Sequence, residues 1–295
     1  MRVASKTIYD TITFNLANVT EELHKANKIV ASGKRIQDLS DDPVGITQVL
    51  NIRSTLSNIE QLGRNINLGK SWLTASESAL SSVQDLISDA KALCVQMASA
   101  NTGASQRASA AETVQNTLEE IVSLSNTEVN GRYVFAGSKT DTAPFSTGGT
   151  YNGDNTAFTV KIGRDATVEV GSDGEAVFQP SGAGANDDIF QTLSDLKAAL
   201  ENNDVSGIQT VMGKLDAHFD HISSKISDVG SKMVRMENKE NIFQDSKITN
   251  TDRLSKIEDA DIAEAIIELE SKELAYQVVL ASSAKVMELS LIDYL

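Results

Sequence analysis

Ile52, Ile59, Ile66, Leu73, Leu80, Ile87 and Cys94 stand seven residues apart, with no proline between them. Leu56, Val83, Ala90 and Met97 add part of a second seam. A seven-residue repeat with two seams predicts helices packed along their length. Asp42 is a good N-cap, and Pro43 at the first helical position gives up an amide that has no helical partner anyway. A helix from Pro43 to about Ser99 would run ~85 Å at ~1.5 Å per residue. No compact globule of this mass hides such a rod, so the sequence predicts an elongated molecule.

Glycine divides the rest. Of the 18 Gly, ten lie between Gly131 and Gly184, together with Pro144 and Pro180, two of the three Pro. A turn-rich centre thus separates two helix-permissive arms. The first arm places Ile8, Ile12, Leu16, Val19, Leu23, Ala26 and Val30 on one helical face and stops at Gly33, suited to a left-handed C-cap. A third helix follows Gly103 on Ala111, Val114, Leu118, Ile121 and Ser125. In the centre, Arg132–Ala136, Phe158–Ile162, Thr167–Val170 and Ala176–Phe178 read as strands, and Tyr151-Asn152-Gly153-Asp154 as a hairpin turn. Helix returns at Asp187-Asp188, and a second rod carries Ile208, Val211, Leu215, Phe219, Ile222, Ile226, Val229, Met233 and Met236. A last helix begins at Asp261, with Glu264 placed for a capping box.

The expected fold class is mainly α: an elongated antiparallel helical bundle or coiled coil formed by both chain ends, with a small central β-rich insert. Residues 1–42 form the first helix of an inner coiled coil and 43–130 the long-helix arm of a rod bundle. Residues 131–186 form the outward-facing insert, 187–255 the returning helices and 256–295 the last helix of the coiled coil. Residues 1–40 carry six Lys/Arg and four Asp/Glu, whereas 255–295 carry three Lys and nine Asp/Glu, so the ends attract weakly. Each ordered residue costs ~1–2 kcal/mol of backbone entropy, and a pair of thin helices buries little. The arms therefore await partners. The expected assembly seam pairs Ile8, Ile12, Leu16, Val19 and Leu23 with Ile266, Leu269, Tyr276, Leu280 and Leu289.

Chemistry is sparse. A net charge of −15 does not suit a binder of nucleic acid, and no apolar run approaches the ~20 residues of a membrane span. The segment from Met1 shows no apolar core of an ordinary secretory signal. Gly63 to Ser71 imitates a phosphate loop with one residue too many between its glycines. His218 and His221 share a helical face, which a metal-dependent hydrolase could use; surface histidines are the default. Cys94 lies on the heptad seam and reads as a buried, inert thiol. We expect no enzyme, no catalytic residue, no metal and no cofactor.

Ala31-Ser32-Gly33-Lys34-Arg35-Ile36 and Ser40-Asp41-Asp42-Pro43-Val44-Gly45 closely resemble the N-terminal signature of bacterial flagellin-like proteins. Leu254–Asp261 resembles the start of their last helix. Asn130-Gly131-Arg132-Tyr133-Val134-Phe135-Ala136-Gly137, followed by Pro144-Phe145, is similar to the family's hook–filament junction branch rather than to filament flagellins. Lys91-Ala92-Leu93-Cys94-Val95-Gln96 departs at two charged positions from the flagellin segment linked to host-receptor recognition, so that activity is not carried over. Signature residues are Gly33, Arg35, Asp41, Asp42, Pro43, Gly131, Arg132, Phe135 and Gly137. The resemblance implies a secreted structural protein at the hook–filament junction, exported unfolded through the flagellar type III channel. It implies a ring of about eleven copies between hook-associated protein 1 and the flagellin filament, and a cytoplasmic chaperone on the last helix. Alternatives are a filament-forming flagellin and, more remotely, a secreted coiled-coil adhesin.

Overall fold

The computed structural model describes residues 2–292, and the side chains of 6, 7 and 9–285 among them. Seven α-helices occur among the described residues: α1 (Arg2–Ser32), α2 (Pro43–Met97), α3 (Ala104–Ser125), α4 (Gly174–Phe178), α5 (Ile189–Glu201), α6 (Val205–Glu258) and α7 (Ile262–Ile292). The chain divides into two compact units, residues 1–58 with 246–295, and residues 59–245. No described helix is long and apolar enough to cross a membrane.

The larger unit is built on the heptad seam. Ile66, Leu73, Leu80, Ile87 and Cys94 of α2 are all at most 1% exposed. They share one core with Val114 and Ile121 of α3, Leu193 and Leu196 of α5, and Ile208, Leu215 and Ile222 of α6. Fully burying each such side chain contributes ~1.5–3 kcal/mol. Lys70 Nζ meets Glu240 Oε2 at 2.8 Å, and Lys91 pairs with Asp216, so α2 and α6 run antiparallel. The glycines of the imitation phosphate loop lie inside α2, where helical amides are already bonded. Gly69 faces Met236 of α6.

The insert is less β-rich than its sequence suggests. Its strands are β1 (Glu128–Val129) with β2 (Arg132–Tyr133), and β3 (Thr159–Lys161) with β4 (Thr167–Glu169), both pairs antiparallel. The remainder is turns wrapped on aromatic rings. Phe145 lies 5.2 Å from Tyr151, 5.5 Å from Phe178 and 5.1 Å from Phe190, centroid to centroid. The expected strand at Ala176–Phe178 is instead α4, because Asp173 Oδ1 caps it by accepting from the Glu175 amide at 2.9 Å. The expected turn at 151–154 falls at 146–150, where the Ser146 amide donates to the Thr150 carbonyl at 3.0 Å. Trp72 of α2 stacks on Phe158 at 5.0 Å, so the insert and the helices share one core.

Arg107 had no signal in the sequence. It is 4% exposed and lies beyond the last turn of α2. Its Nε donates to the Met97 carbonyl at 2.8 Å and its Nη2 to the Ser99 carbonyl at 3.1 Å. The guanidinium thereby satisfies orphan carbonyls at the negative end of a helix. Its Nη1 reaches Asn203 Oδ1 at 2.5 Å, tying the α5–α6 turn to the same spot.

Candidate assembly surface

The terminal unit is organised by a joint between two connections far apart in sequence. Gly33 ends α1 at φ +70°, and its amide donates to the Ile29 carbonyl at 2.8 Å. The chain then runs antiparallel to the α6–α7 turn. The Ala260 amide donates to Gly33 O at 2.9 Å and the Arg35 amide to Glu258 O at 2.7 Å. Arg35 Nη2 also reaches the Ile257 carbonyl at 2.9 Å. Glu258, with its side chain 4% exposed, takes Lys34 Nζ and Arg53 Nη2 on one oxygen, each at 2.5 Å. Two cations on one buried carboxylate neutralise a charge that would otherwise be costly to bury. Sequence reasoning marked Gly33 and Arg35 but missed Glu258 and Arg53.

Asp41 and Asp42 fix the other side of the joint. Asp42 Oδ1 accepts from the Val44 amide at 3.2 Å and the Gly45 amide at 2.8 Å, capping α2 ahead of Pro43 as the sequence predicts. Asp41 Oδ1 meets Lys25 Nζ at 3.0 Å, and its Oδ2 accepts from the amides of Gln37 at 3.2 Å and Asp38 at 3.1 Å. The Lys25 bond first, then the two amides, hold the Asp41 carboxyl down to about 2. A carboxyl lowered in the folded state stabilises the fold above its unfolded value of 3.8, and that stability disappears as pH falls towards 2. Amide exchange at Ala260 should therefore accelerate between pH 4 and pH 2, after correction for intrinsic rates. Asp41→Asn should flatten that dependence; an unchanged slope would refute the assignment.

Beyond the joint, α1 and α7 pack against each other. Lys272 Nζ meets Glu22 Oε2 at 2.9 Å, and Lys34 bridges to Asp259, which fixes an antiparallel register. On α1, Ile12, Leu16, Val19 and Leu23 are half-buried and Ala26 is buried. On α7 the covered stripe is Ala265, Leu269, Tyr276 and Val279. Ile266 and Leu280 stand apart from it, 42% and 41% exposed. Ile8 and Leu289 lie outside the described side chains. The α7 helix has a further apolar stripe. Ile267, Leu274 and Val278 are 68%, 62% and 58% exposed, and at about 100° per residue they point about 180° from Ala265, Leu269 and Tyr276. Phe14 of α1 is likewise 65% exposed. A helix that is apolar on opposite faces is one that becomes covered on both.

The signature residues of the insert form a separate knot in the larger unit. Asn130 and Gly131 take left-handed φ values of +54° and +75° in the turn between β1 and β2, and Arg132 begins β2 on the exposed side. Phe135 is fully buried, edge-on to Phe178 at 5.2 Å. Gly137, at φ +67°, lies directly against the backbone of Asp154. Asp154 Oδ1 accepts from the Ser138 amide at 2.7 Å.

Cys94 and the two histidines of α6 are held by packing. Cys94 is buried on the seam, and burial pushes its thiol up to about 11, the opposite of activation. His218 is not the surface histidine expected: it is 6% exposed because its position on α6 faces α5. His221 Nε2 lies 3.1 Å from the Ala176 carbonyl. Among the described residues no group of three His, Cys, Asp or Glu could hold a metal.

Comparison with known proteins agrees with this geometry. The bacterial flagellin N-terminal helical region matches residues 4–140 and the C-terminal helical region matches residues 212–295. The chain is 25% identical over 286 residues to flagellar hook-associated protein 3 of Escherichia coli, covering 88% of this chain and 89% of that one. It is 26% identical over 267 residues to a flagellin of Bacillus subtilis, covering 84% of each. The crystal structure of Bacillus cereus FlgL matches with a TM-score of 0.61 at 25% identity, covering 70% of this chain and 99% of that one. A hook-associated protein structure from Vibrio parahaemolyticus has the same fold, with a TM-score of 0.68 at 19% identity, over 74% of this chain and all of that one.

Proposed function

Because the chain belongs to the bacterial flagellin family, we propose that it is a structural adaptor of the flagellum, joining hook to filament by helix packing between subunits. The observation that carries this reading is the uncovered apolar stripe Ile267, Leu274 and Val278 on α7, opposite the stripe packed on α1. Neighbouring subunits cover it, and the terminal helices form an inner tube. The copies close into a ring of about eleven, with hook-associated protein 1 on one side and flagellin on the other. Before export, a cytoplasmic chaperone shields the same stripe. The protein acts outside the cell, at the hook–filament junction.

A filament-forming flagellin is the competing reading, favoured by the equally distant likeness to the Bacillus subtilis protein. The knot at Asn130–Gly137 and the match to hook-associated protein 3 over 88% of the chain support the junction. Purified protein mixed with hook-associated protein 1 should give discrete rings by electron microscopy, which then accept flagellin. Long filaments of the pure protein would overturn the junction reading.

A further inference from the structure

The loop that leaves the insert and the start of α6 enclose a cleft of about 510 Å³, the size of a small-molecule site. Asp187 lines it from the loop, and Gly213, Lys214, His218 and His221 line it from α6. Gly213 helps to make the room, since a methyl built there meets no atom within 4 Å. The surrounding hydrogen bonds decide what the lining offers a guest. Thr192 gives its hydroxyl proton to the Asp188 carbonyl at 2.8 Å, so towards His218 Nε2, 3.0 Å away, its oxygen can only accept. Nε2 of His218 therefore carries the hydrogen, and Nδ1 is an acceptor. His221 is fixed in the same way, because its Nε2 lies 3.1 Å from the Ala176 carbonyl, which has no proton to give. Asp187 Oδ2 accepts from the Ser181 hydroxyl at 2.6 Å, whereas its Oδ1 is buried with no hydrogen-bond partner among the described residues. A buried carboxylate oxygen without a donor is costly, and a guest that brings one relieves that cost.

We propose that this cleft binds an organic cation bearing N–H donors, an alkylguanidinium or alkylammonium group. Its N–H groups satisfy Asp187 Oδ1 and the bare imidazole nitrogens, and its charge meets a negative balance. Lys214 is the one cation of the lining, and Asp195 Oδ2 already engages it at 3.3 Å. Asp187 keeps its charge, and that of Asp188 lies just behind, its carboxylate held by the Gly184 amide at 2.7 Å and the Phe190 amide at 2.9 Å. An anion would face Asp187 and two acceptor nitrogens, with a single, already paired ammonium to attract it. A metal ion finds no third ligand among the described residues.

Titration of butylguanidinium into the full-length protein, followed by amide NMR, tests this. The signals of Asn186, Asp187 and Gly213 should shift saturably, with a Kd on the order of 1 mM for so small a cation. Tetramethylammonium, which has the same charge but no N–H, should bind about tenfold more weakly, and Asp187→Asn should cost butylguanidinium about as much. Lys214→Met removes the only opposing charge of the lining and should tighten binding a few-fold. Equal binding of the two cations, full binding by Asp187→Asn, or weaker binding by Lys214→Met would each overturn the assignment. So would the lack of any saturable shift in the unmodified protein, a result that depends on no variant folding. Sedimentation at saturating butylguanidinium separates two sources of the cation: a Lys or Arg side chain of a second copy is displaced and self-association falls, whereas a free cation leaves it unchanged.

Discussion

Leu274→Asp should leave the isolated protein folded and abolish its assembly. Leu274 is 62% exposed, so a carboxylate there remains solvated, and the change in stability of the free chain should stay within about 0.5 kcal/mol. The position lies on the uncovered side of α7, opposite Ala265, Leu269 and Tyr276. In a packed assembly the substitution forfeits ~1.5–3 kcal/mol of apolar burial at each copy. It also places a carboxylate in an apolar seam, at a further cost of several kcal/mol. A closed ring repeats that penalty at every subunit. Circular dichroism melting should match the unmodified protein, and electron microscopy should find no rings. Leu274→Met, which keeps volume and polarity, should assemble. Normal rings from Leu274→Asp would refute the claim that this face is buried between subunits.

Gly137→Ala should destabilise the larger unit by about 3 kcal/mol or more, combining two terms. At φ +67° an alanine pays ~1–2 kcal/mol for the left-handed conformation. Its methyl would also lie inside van der Waals contact with the Asp154 carbonyl oxygen and 2.9 Å from the carbonyl carbon. Those are backbone atoms, so no side-chain rotation relieves the overlap. Gly184→Ala separates the terms. Gly184 has φ +77° but open space around it, so only the conformational cost of ~1–2 kcal/mol should appear. The single tryptophan, Trp72, packs on Phe158 of the insert, and its fluorescence in urea reports this unit. A Gly137→Ala midpoint no lower than that of Gly184→Ala would show that the knot yields to the methyl.

The parts of this structure that the sequence foretold are those governed by local chemistry or by a regular period. Leu73, Leu80 and Ile87 are buried because a helix returns every seventh residue to the same side, whatever it packs against. Gly33 and Asp42 end and begin helices through bonds to their immediate neighbours. The α7 seam was harder to read because that helix is apolar on several sides, so periodicity does not select a face. Leu269 and Tyr276 are half-buried, and the small Ala265 shares that stripe where the larger Ile266 does not. The insert was obscured for another reason. Its rings meet across long sequence gaps, as Phe145 meets Phe190, and those encounters determine its turns. Glu258 and Arg107 look like any solvated charges in the sequence. Their burial follows from Arg53, 205 positions from Glu258, and Asn203, 96 positions from Arg107.

The joint at Gly33 and Glu258 has a kinetic consequence. Arg35 and Ile257, hydrogen-bonded to one another, are 222 positions apart, so closing that contact restrains most of the chain at once. Loop-closure entropy makes such a contact late unless the intervening segment has already contracted. The larger unit, whose α3 and α5 pack within a shorter span, should consolidate earlier and bring the two strands of the joint within reach. Helix α1 is then among the last to dock, because its partner α7 follows the whole of the larger unit in sequence.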